Sequence, residues 1–465
     1  MLLCLLGSIA MAGESRAGSM SPNNSALHLD NATGEPCPET MPKGALDLLD
    51  VVNLALCSNP QTREVWAYSR VQEAQVGVSK AAYLPNASMS ASDIRIKSGA
   101  DPVIERRNIN LTLSYLLYDF GLRSAKLDNA LQLLAAASAT QDSTVQKIFL
   151  AAVQGYYQVQ AALAAFDAAI ESEHTARESF AAAEARYNAG SATPADKLQA
   201  QTAYSQATLN RITADGNLKN AQGALANMIG VDANRNVPLA TANAAEMPRD
   251  FEGDINALIE EARQRRPDLQ AAAAQVKAAQ ASADAARSDD MPKISLTASS
   301  DRQQVAGINT RDSSVGIQLN VPIFSGYTPA YRIRAAEMQV EASNAQLEQL
   351  RLQVALEVWT AYQHLTTATQ SLRTTADLLN SAEQSERVVL GRYKAGVGSM
   401  LDVLNAQSAL ASARQQRIQS TLNWNISRAT LAQAMGSLDA GLLQTLSNGD
   451  GHKPGEAPPS KNKQQ

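Results

Sequence analysis

From Ala45 to Pro85 the apolar residues fall three and four apart, which predicts helix on one buried face, interrupted near Pro60. After Pro85 the period drops to two. Ile109, Leu111, Leu113 and Tyr115 alternate with Asn108, Asn110, Thr112 and Ser114. Further on, Ile294, Leu296 and Ala298 alternate with Ser295, Thr297 and Ser299, and Val315, Ile317, Leu319 and Val321 follow. Four strands are predicted, over 86–97, 107–118, 293–302 and 313–324, joined in pairs by the polar loops "IKSGADPVIERR" and "DRQQVAGINTRDS". Then the period returns to helical. No proline occurs between Pro102 and Pro194 or between Pro329 and Pro454, and Leu122 to Tyr187 carries a single glycine, Gly155. At ~1.5 Å per residue such a helix reaches roughly 100 Å.

The pattern is one unit written twice. A shift of 206 places Tyr187 on Tyr393, Gly190 on Gly396, Asp196 on Asp402 and Gln201 on Gln407, and lays "LTLSYLLY" over "IQLNVPIF". One residue more brings Pro60 onto Pro267 and Pro85 onto Pro292. The match keeps its order over about 190 residues, the signature of a tandem duplication. Repeat 1 is assigned to 45–247 and repeat 2 to 248–446, each helix–strand–strand–helix. Residues 13–44 form an N-terminal extension, and the Pro-, Gly- and Lys-rich end, 447–465, reads as a disordered tail.

Composition narrows the classes. Of 465 residues only 5% are aromatic while 45% are hydrophobic, much of it Ala, which suits long helices packed closely together. A net charge of −5 gives no basic footprint, so no nucleic-acid partner is expected. The start "MLLCLLGSIAMA" resembles the apolar core and cleavage site of a signal peptide, expected over 1–12. Its removal would leave Cys37 and Cys57, an even pair in an oxidising compartment, and a disulfide between them is expected. Beyond that run no apolar window is long enough for a membrane helix. The four His are scattered, and there is no metal-ligand spacing, Gly-rich phosphate loop or nucleophile elbow. No enzyme, catalytic residue, metal or cofactor is expected.

Strands alternating apolar with Ser, Thr and Asn over about ten residues match a transmembrane barrel, apolar to lipid and polar to a lumen. Four strands cannot close, and open edges are not tolerated in hydrocarbon, so several chains must each contribute four; three would give twelve. A soluble β-subdomain with one buried face is a competing reading, against which the polar faces are almost wholly Ser, Thr and Asn. A soluble coiled-coil scaffold is another, which explains the helices but not the alternating strands.

The twin passages "RYNAGSATPADKLQAQ" and "RYKAGVGSMLDVLNAQ", with the "LLYDFGLRSA" turn, resemble the TolC family of outer-membrane efflux and secretion ducts, from Ala45 to Gly436. The "CSNPQTREVWA" segment at Cys57 is similar to the type I secretion branch, toward the outer-membrane component of adenylate cyclase-haemolysin export. The resemblance implies a fold that is mainly α with a transmembrane β part. As a homotrimer it forms a twelve-stranded barrel in the outer-membrane lipid, joined to a long α-helical barrel crossing the periplasm. It implies a periplasmic adaptor and an inner-membrane ABC transporter as partners, with passage of protein cargo. The alternative is the outer-membrane channel of a multidrug or metal efflux pump.

Local chemistry explains the twin motif as a helical hairpin. Gly190 and Gly396 end one helix in the left-handed conformation, Thr193 and Ser399 cap the next, and Asp196 and Asp402 close its first turn. The resemblance adds roles. Asp402 belongs to a ring of acids at the pore constriction, and Asp196 accepts a hydrogen bond from Tyr393. Asn405 stands where a second ring acid is found in the family, and Gly398 where an arginine ties the hairpins. A weaker lock and a less negative mouth are therefore expected. The tips, with Gly190, Ser191, Gly396 and Val397, are where the adaptor would dock.

Overall fold

The computed structural model describes residues 44–99, 103–235, 237–240, 254–305 and 307–438. Each half opens with a short and a longer helix: α1 (Leu48–Ser58) and α2 (Pro60–Ala81) in the first, α5 (Ile255–Arg265) and α6 (Pro267–Asp289) in the second. Pro60 takes the first helical position, where its missing N–H costs nothing, and Asn59 accepts from Gln61 N at 2.9 Å to cap α2. In the second copy Arg266 takes that place. It is buried and paired with Asp268 and Glu357.

The strands β1 (Asn86–Ile96), β2 (Ile104–Tyr118), β3 (Lys293–Val305) and β4 (Ile308–Asn320) form one antiparallel sheet in the order β1-β2-β3-β4. The register lines up Ala87, Leu113, Ala298 and Val315 in one row and Ser88, Thr112, Ser299 and Ser314 in the next. One face of the sheet is thus apolar and the other hydroxyl-rich. The outer strands β1 and β4 each have a single partner, so both edges are free.

Two sequence expectations need correction here. The stretches read as long polar loops are strand in part in the first hairpin and almost throughout in the second. Ile104 to Arg107 extend β2 and pair with residues of β1, and Asp301 to Val305 pair with Ile308 to Asp312 around a turn at Gly307, φ 87°. Alternation of hydrophobicity stops there because the strands rise beyond the apolar band, while backbone pairing continues. At the other end β4 stops at Asn320 and not at residue 324, since Pro322 has no N–H for a ladder and Ile323 and Phe324 are exposed.

The long helices α3 (Leu122–Asn188) and α7 (Thr328–Lys394) have 67 residues each, and their return helices α4 (Pro194–Met228) and α8 (Met400–Ala434) have 35 each. At ~1.5 Å per residue these span about 100 and about 50 Å. Sheet joins helix through a fixed corner. Phe120 and Gly121 adopt positive φ (55° and 94°), and the buried Asp119 accepts from Arg123 N at 3.0 Å and Nε at 2.9 Å. Arg123 also donates to the Leu116 carbonyl at 2.8 Å and lies over the Tyr83 ring.

Two apolar cores sit at mid-height, where short and long helices meet. One gathers Val51, Val52, Ile148, Val153, Leu225 and Ile229; the other Leu258, Val354, Val358, Leu372 and Leu431. Ala152, Ala226, Ala262 and Ala429 are fully buried, which accounts for the alanine-rich composition: small side chains let these backbones approach. Large apolar residues nevertheless remain exposed in helical rows, Leu352, Leu356 and Trp359 on α7 and Leu209 and Ile212 on α4. Among the described residues no helix is long and apolar enough to cross a membrane. Cys57 is disulfide-bonded; Cys37, its expected partner, lies outside the described residues, as do the segments assigned to a signal peptide (1–12), nearly all of the extension (13–44) and the tail (447–465).

Candidate functional site

Opposite the sheet, the two helical hairpins come together at their tips. Both are built by the same local chemistry. In the first, Gly190 N donates to the Tyr187 carbonyl at 2.9 Å and Ser191 N to the Arg186 carbonyl at 2.9 Å; in the second, Gly396 N reaches Tyr393 and Val397 N reaches Arg392, each at 3.0 Å. Gly190 and Gly396 have φ of 71° and 82°, the left-handed region that a side chain disfavours. Thr193 with Asp196, and Ser399 with Asp402, then form reciprocal capping boxes.

The shared chemistry ends at the tyrosines. Tyr187 is exposed, with Lys197 5.5 Å from its ring centroid and Glu184 2.9 Å from that ammonium. Tyr393 is buried, only 7% accessible, in a small core of Ala183, Ala200, Met400 and Val403 that draws on both hairpins. Arg186 of the first hairpin lies over the Tyr393 ring, its guanidinium 4.1 Å from the centroid, and donates Nη2 to the Tyr393 carbonyl at 2.9 Å. That oxygen also accepts the Gly396 N–H. About two turns higher, Gln407 Nε2 donates to Ser179 Oγ at 2.9 Å, a second tie between α8 and α3.

The remaining candidates fall as follows. Asp402 is exposed, and the Ser399 hydroxyl, then its backbone N–H, hold its carboxyl below the ordinary value of 3.8. Asn405 is exposed three residues on, hence on the same side of α8. Gly190, Ser191, Gly396 and Val397 are all exposed at the tips. Asp196 is not brought to Tyr393 in this protomer: its Oδ2 accepts instead from Thr193 N at 3.0 Å and Thr193 Oγ1 at 2.8 Å, and no hydrogen bond among the described residues joins the two. The cap and the distant hydroxyl compete for one short side chain, and the cap is local.

At Gly398 a Cβ would lie 3.1 Å from Tyr393 N and 3.3 Å from the Arg392 carbonyl carbon, so a side chain there requires the tip backbone to give slightly. Arg186 was the residue missed. Its signal was present in the repeated Arg-Tyr pair, but only the geometry shows that one copy's arginine covers the other copy's tyrosine. No group of His, Cys, Asp or Glu among the described residues could hold a metal.

These features have counterparts in known proteins. The family model described as "Outer membrane efflux protein" matches residues 51–231 and 258–437, one match per half of the chain. Protein CyaE of Bordetella pertussis is 33% identical over 398 residues, covering 83% of both chains. The alkaline protease secretion protein AprF of Pseudomonas aeruginosa is 25% identical over 429 residues, 86% of this chain and 87% of that one. A crystal structure of a membrane protein from Pseudomonas aeruginosa superposes with a TM-score of 0.75 at 25% identity, over 84% of this chain and 93% of its own. The chain therefore belongs to the outer membrane efflux protein family, the TolC-like channels, and is an outer-membrane exit channel with no enzymatic activity, its sheet in the membrane and its helices in the periplasm.

Proposed function

We propose that the protein is the exit duct of a tripartite type I secretion system. Three copies would each give four strands to a twelve-stranded barrel and their long helices to a tube. The observation that carries this is the four-stranded sheet itself. It has an apolar face and two unpaired edges above 67-residue helices, and edges cannot stay open in hydrocarbon. The exposed rows at Leu352, Leu356 and Trp359 and at Leu209 and Ile212 are then covered by neighbouring copies. Each protomer contributes two repeats, 45–247 and 248–446.

In this reading the hairpin tips ring the inner mouth. The Arg186–Tyr393 contact keeps the two hairpins of a protomer together and the mouth narrow. Asp402, on the second hairpin, supplies the acidic ring, with Asn405 diluting its charge. The small exposed tip residues Gly190, Ser191, Gly396 and Val397 receive a periplasmic adaptor, which joins the duct to an inner-membrane ABC transporter. Transport is passive in the duct, so the choice of cargo lies with the transporter. Protein cargo is favoured by the alignment over most of its length with a protein named for protease secretion.

Deletion of the gene in its host tests the cargo class. Loss of a protein from the culture medium with unchanged drug and metal susceptibility is the expected result. Raised susceptibility with an unchanged set of secreted proteins would establish the efflux reading instead. Chemical cross-linking of the detergent-purified channel should stop at three copies.

A further inference from the structure

The outward, apolar face of the sheet carries a charge reversal between the two repeats. In the first hairpin Arg95 stands directly across from Glu105, and the two form an ion pair with Nε 3.2 Å from Oε1. The next outward pair, Asp93 and Arg107, is also joined, at 3.3 Å. The shifts that overlay the repeats, 207 for the first strand and 206 for the second, bring Arg95 onto Arg302 and Glu105 onto Arg311. Those two residues are again direct cross-strand partners. An opposed ion pair in one hairpin has thus become two opposed cations in the other.

Like charges directly across a sheet repel, so this pair is unfavourable until an anion lies between the guanidinia. Neither arginine forms an ion pair with any described residue, and both are exposed; along β3 Arg302 is exposed while the other positions are half-buried. By alternation they share the face of Leu296 and Ala298 on β3 and of Val315 and Ile317 on β4, the face turned to lipid. Arg302 also has Ile109 as its neighbour on β2, so both of its flanks are set within one protomer.

Height selects the ligand. Arg302 lies eight residues along β3 from Ile294, which pairs with Leu319 at the periplasmic end. With ~3.3 Å per residue and strands tilted ~40°, that step rises about 20 Å, close to the ~25 Å of a barrel's apolar band. Exposed aromatics, Tyr118, Phe324 and Tyr327, mark the opposite rim. The arginines therefore meet the membrane where outer-leaflet headgroups begin. Acyl chains below them would lie on Leu296, Val315 and Ile317.

We infer that Arg302 and Arg311 form a two-guanidinium seat for the phosphate of a phosphorylated glycolipid of the outer leaflet. Paired guanidinia suit phosphate oxygens through parallel charge-assisted hydrogen bonds. The first hairpin, whose charges neutralise one another, offers no such seat. The inference depends on the sheet lying in the outer membrane and is independent of the cargo class.

Native mass spectrometry of the full channel in detergent tests it, with bis-phosphorylated lipid A and its dephosphorylated form as probes. The wild type should prefer the phosphorylated probe by about ten-fold or more. Arg302→Gln/Arg311→Gln should lose that preference. Arg311→Glu, which restores the first hairpin's ion pair and so protects folding, should lose it too, while Arg95→Gln keeps it. Inorganic phosphate at equal concentration should leave the lipid bound. Retention of the preference by either seat variant, equal binding of the two lipids, or displacement by inorganic phosphate would each overturn the proposal.

Discussion

Replacing Arg186 by alanine should open the channel mouth without unfolding the tube. Two interactions disappear together: a charge-assisted hydrogen bond of 2.9 Å to the Tyr393 carbonyl and a cation–π contact at 4.1 Å from its ring. A hydrogen bond to a charged group contributes ~1.5–3 kcal/mol, and a cation–π contact ~0.5–1 at an exposed site and ~2 when desolvated. Tyr393 is buried but Arg186 is only half so, and the sum is discounted to about 2 kcal/mol. That amount shifts the ratio of parted to joined hairpins by about thirty-fold per protomer. Single-channel recording in planar bilayers should show higher open probability or conductance. Hydrogen exchange should rise over 180–193 and 387–399 with the mid-height cores unchanged. Arg186→Lys keeps the charge but loses the planar face, and should fall between. Tyr393→Phe keeps both the ring face and the carbonyl and should behave nearly as wild type. An Arg186→Ala channel with wild-type conductance and open probability would refute the latch. So would a Tyr393→Phe channel as open as Arg186→Ala, since that would put the hydroxyl, and with it Asp196, back in control.

Asp402→Ala should reduce cation over anion selectivity in reversal-potential measurements, because it removes an acid at the mouth; unchanged selectivity would take Asp402 out of the constriction. Its capping role carries a pH signature with a definite sign. The folded-state pKa is lowered, so the stabilisation is present above the ordinary value of 3.8 and is lost as pH falls below it, and Asp402→Asn should abolish that acid-side loosening of the tip seen by hydrogen exchange. Gly230→Ala should cost about 2–4 kcal/mol and lower the melting temperature, since φ is 77° and a Cβ would lie 2.6 Å from the Ser58 carbonyl oxygen. Gly190→Ala, at φ 71° but with nothing within 4 Å, should cost only about 1 kcal/mol. Cys37→Ser should make Cys57 reactive to iodoacetamide under non-reducing conditions, and a still unreactive Cys57 would exclude that pairing.

The architecture was legible because periodicity and duplication reinforce each other. Two units that overlay at a shift of 206 to 207 residues must have matching elements, and the long helices come out equal at 67 residues and their return helices at 35. Strand ends were less legible. Side-chain alternation reports the solvent on each face, whereas the ladder is backbone, so pairing through Glu105, Arg106, Gln303 and Thr310 left no hydrophobic trace. At the tips, the glycines and capping boxes follow from a few adjacent residues and were readable. The Arg186–Tyr393 contact spans 207 positions and depends on how two helical hairpins rotate against each other. Nothing in either local passage distinguishes it from the reciprocal pair, Arg392 and Tyr187.

The two repeats diverge at three heights, and the divergences have a common cause. At the membrane end Glu105 in one copy corresponds to Arg311 in the other; at mid-height Asn59, a helix cap, corresponds to Arg266, a buried ion-pair centre; at the mouth the exposed Tyr187 corresponds to the buried Tyr393. Each pair occupies equivalent backbone positions, so the fold alone would accept the same residue twice. What differs is the neighbour. Arg266 can be buried because Glu357 of α7 reaches it, and Tyr393 can be buried because Arg186 and Ala183 come from the other hairpin. A ring built from alternating copies has two kinds of junction, and a side chain that crosses one kind is not matched at the other. The duplication therefore supplies nearly equal parts, while cohesion within the protomer rests on residues that break the equality. Exchanging them tests this directly. A Tyr187→Leu channel should be nearly indistinguishable from wild type in stability and conductance, whereas Tyr393→Leu, the same change at the equivalent position, should loosen the mouth as Arg186→Ala does. Equal effects at the two positions would mean that the hairpins are interchangeable and that the asymmetry carries no function.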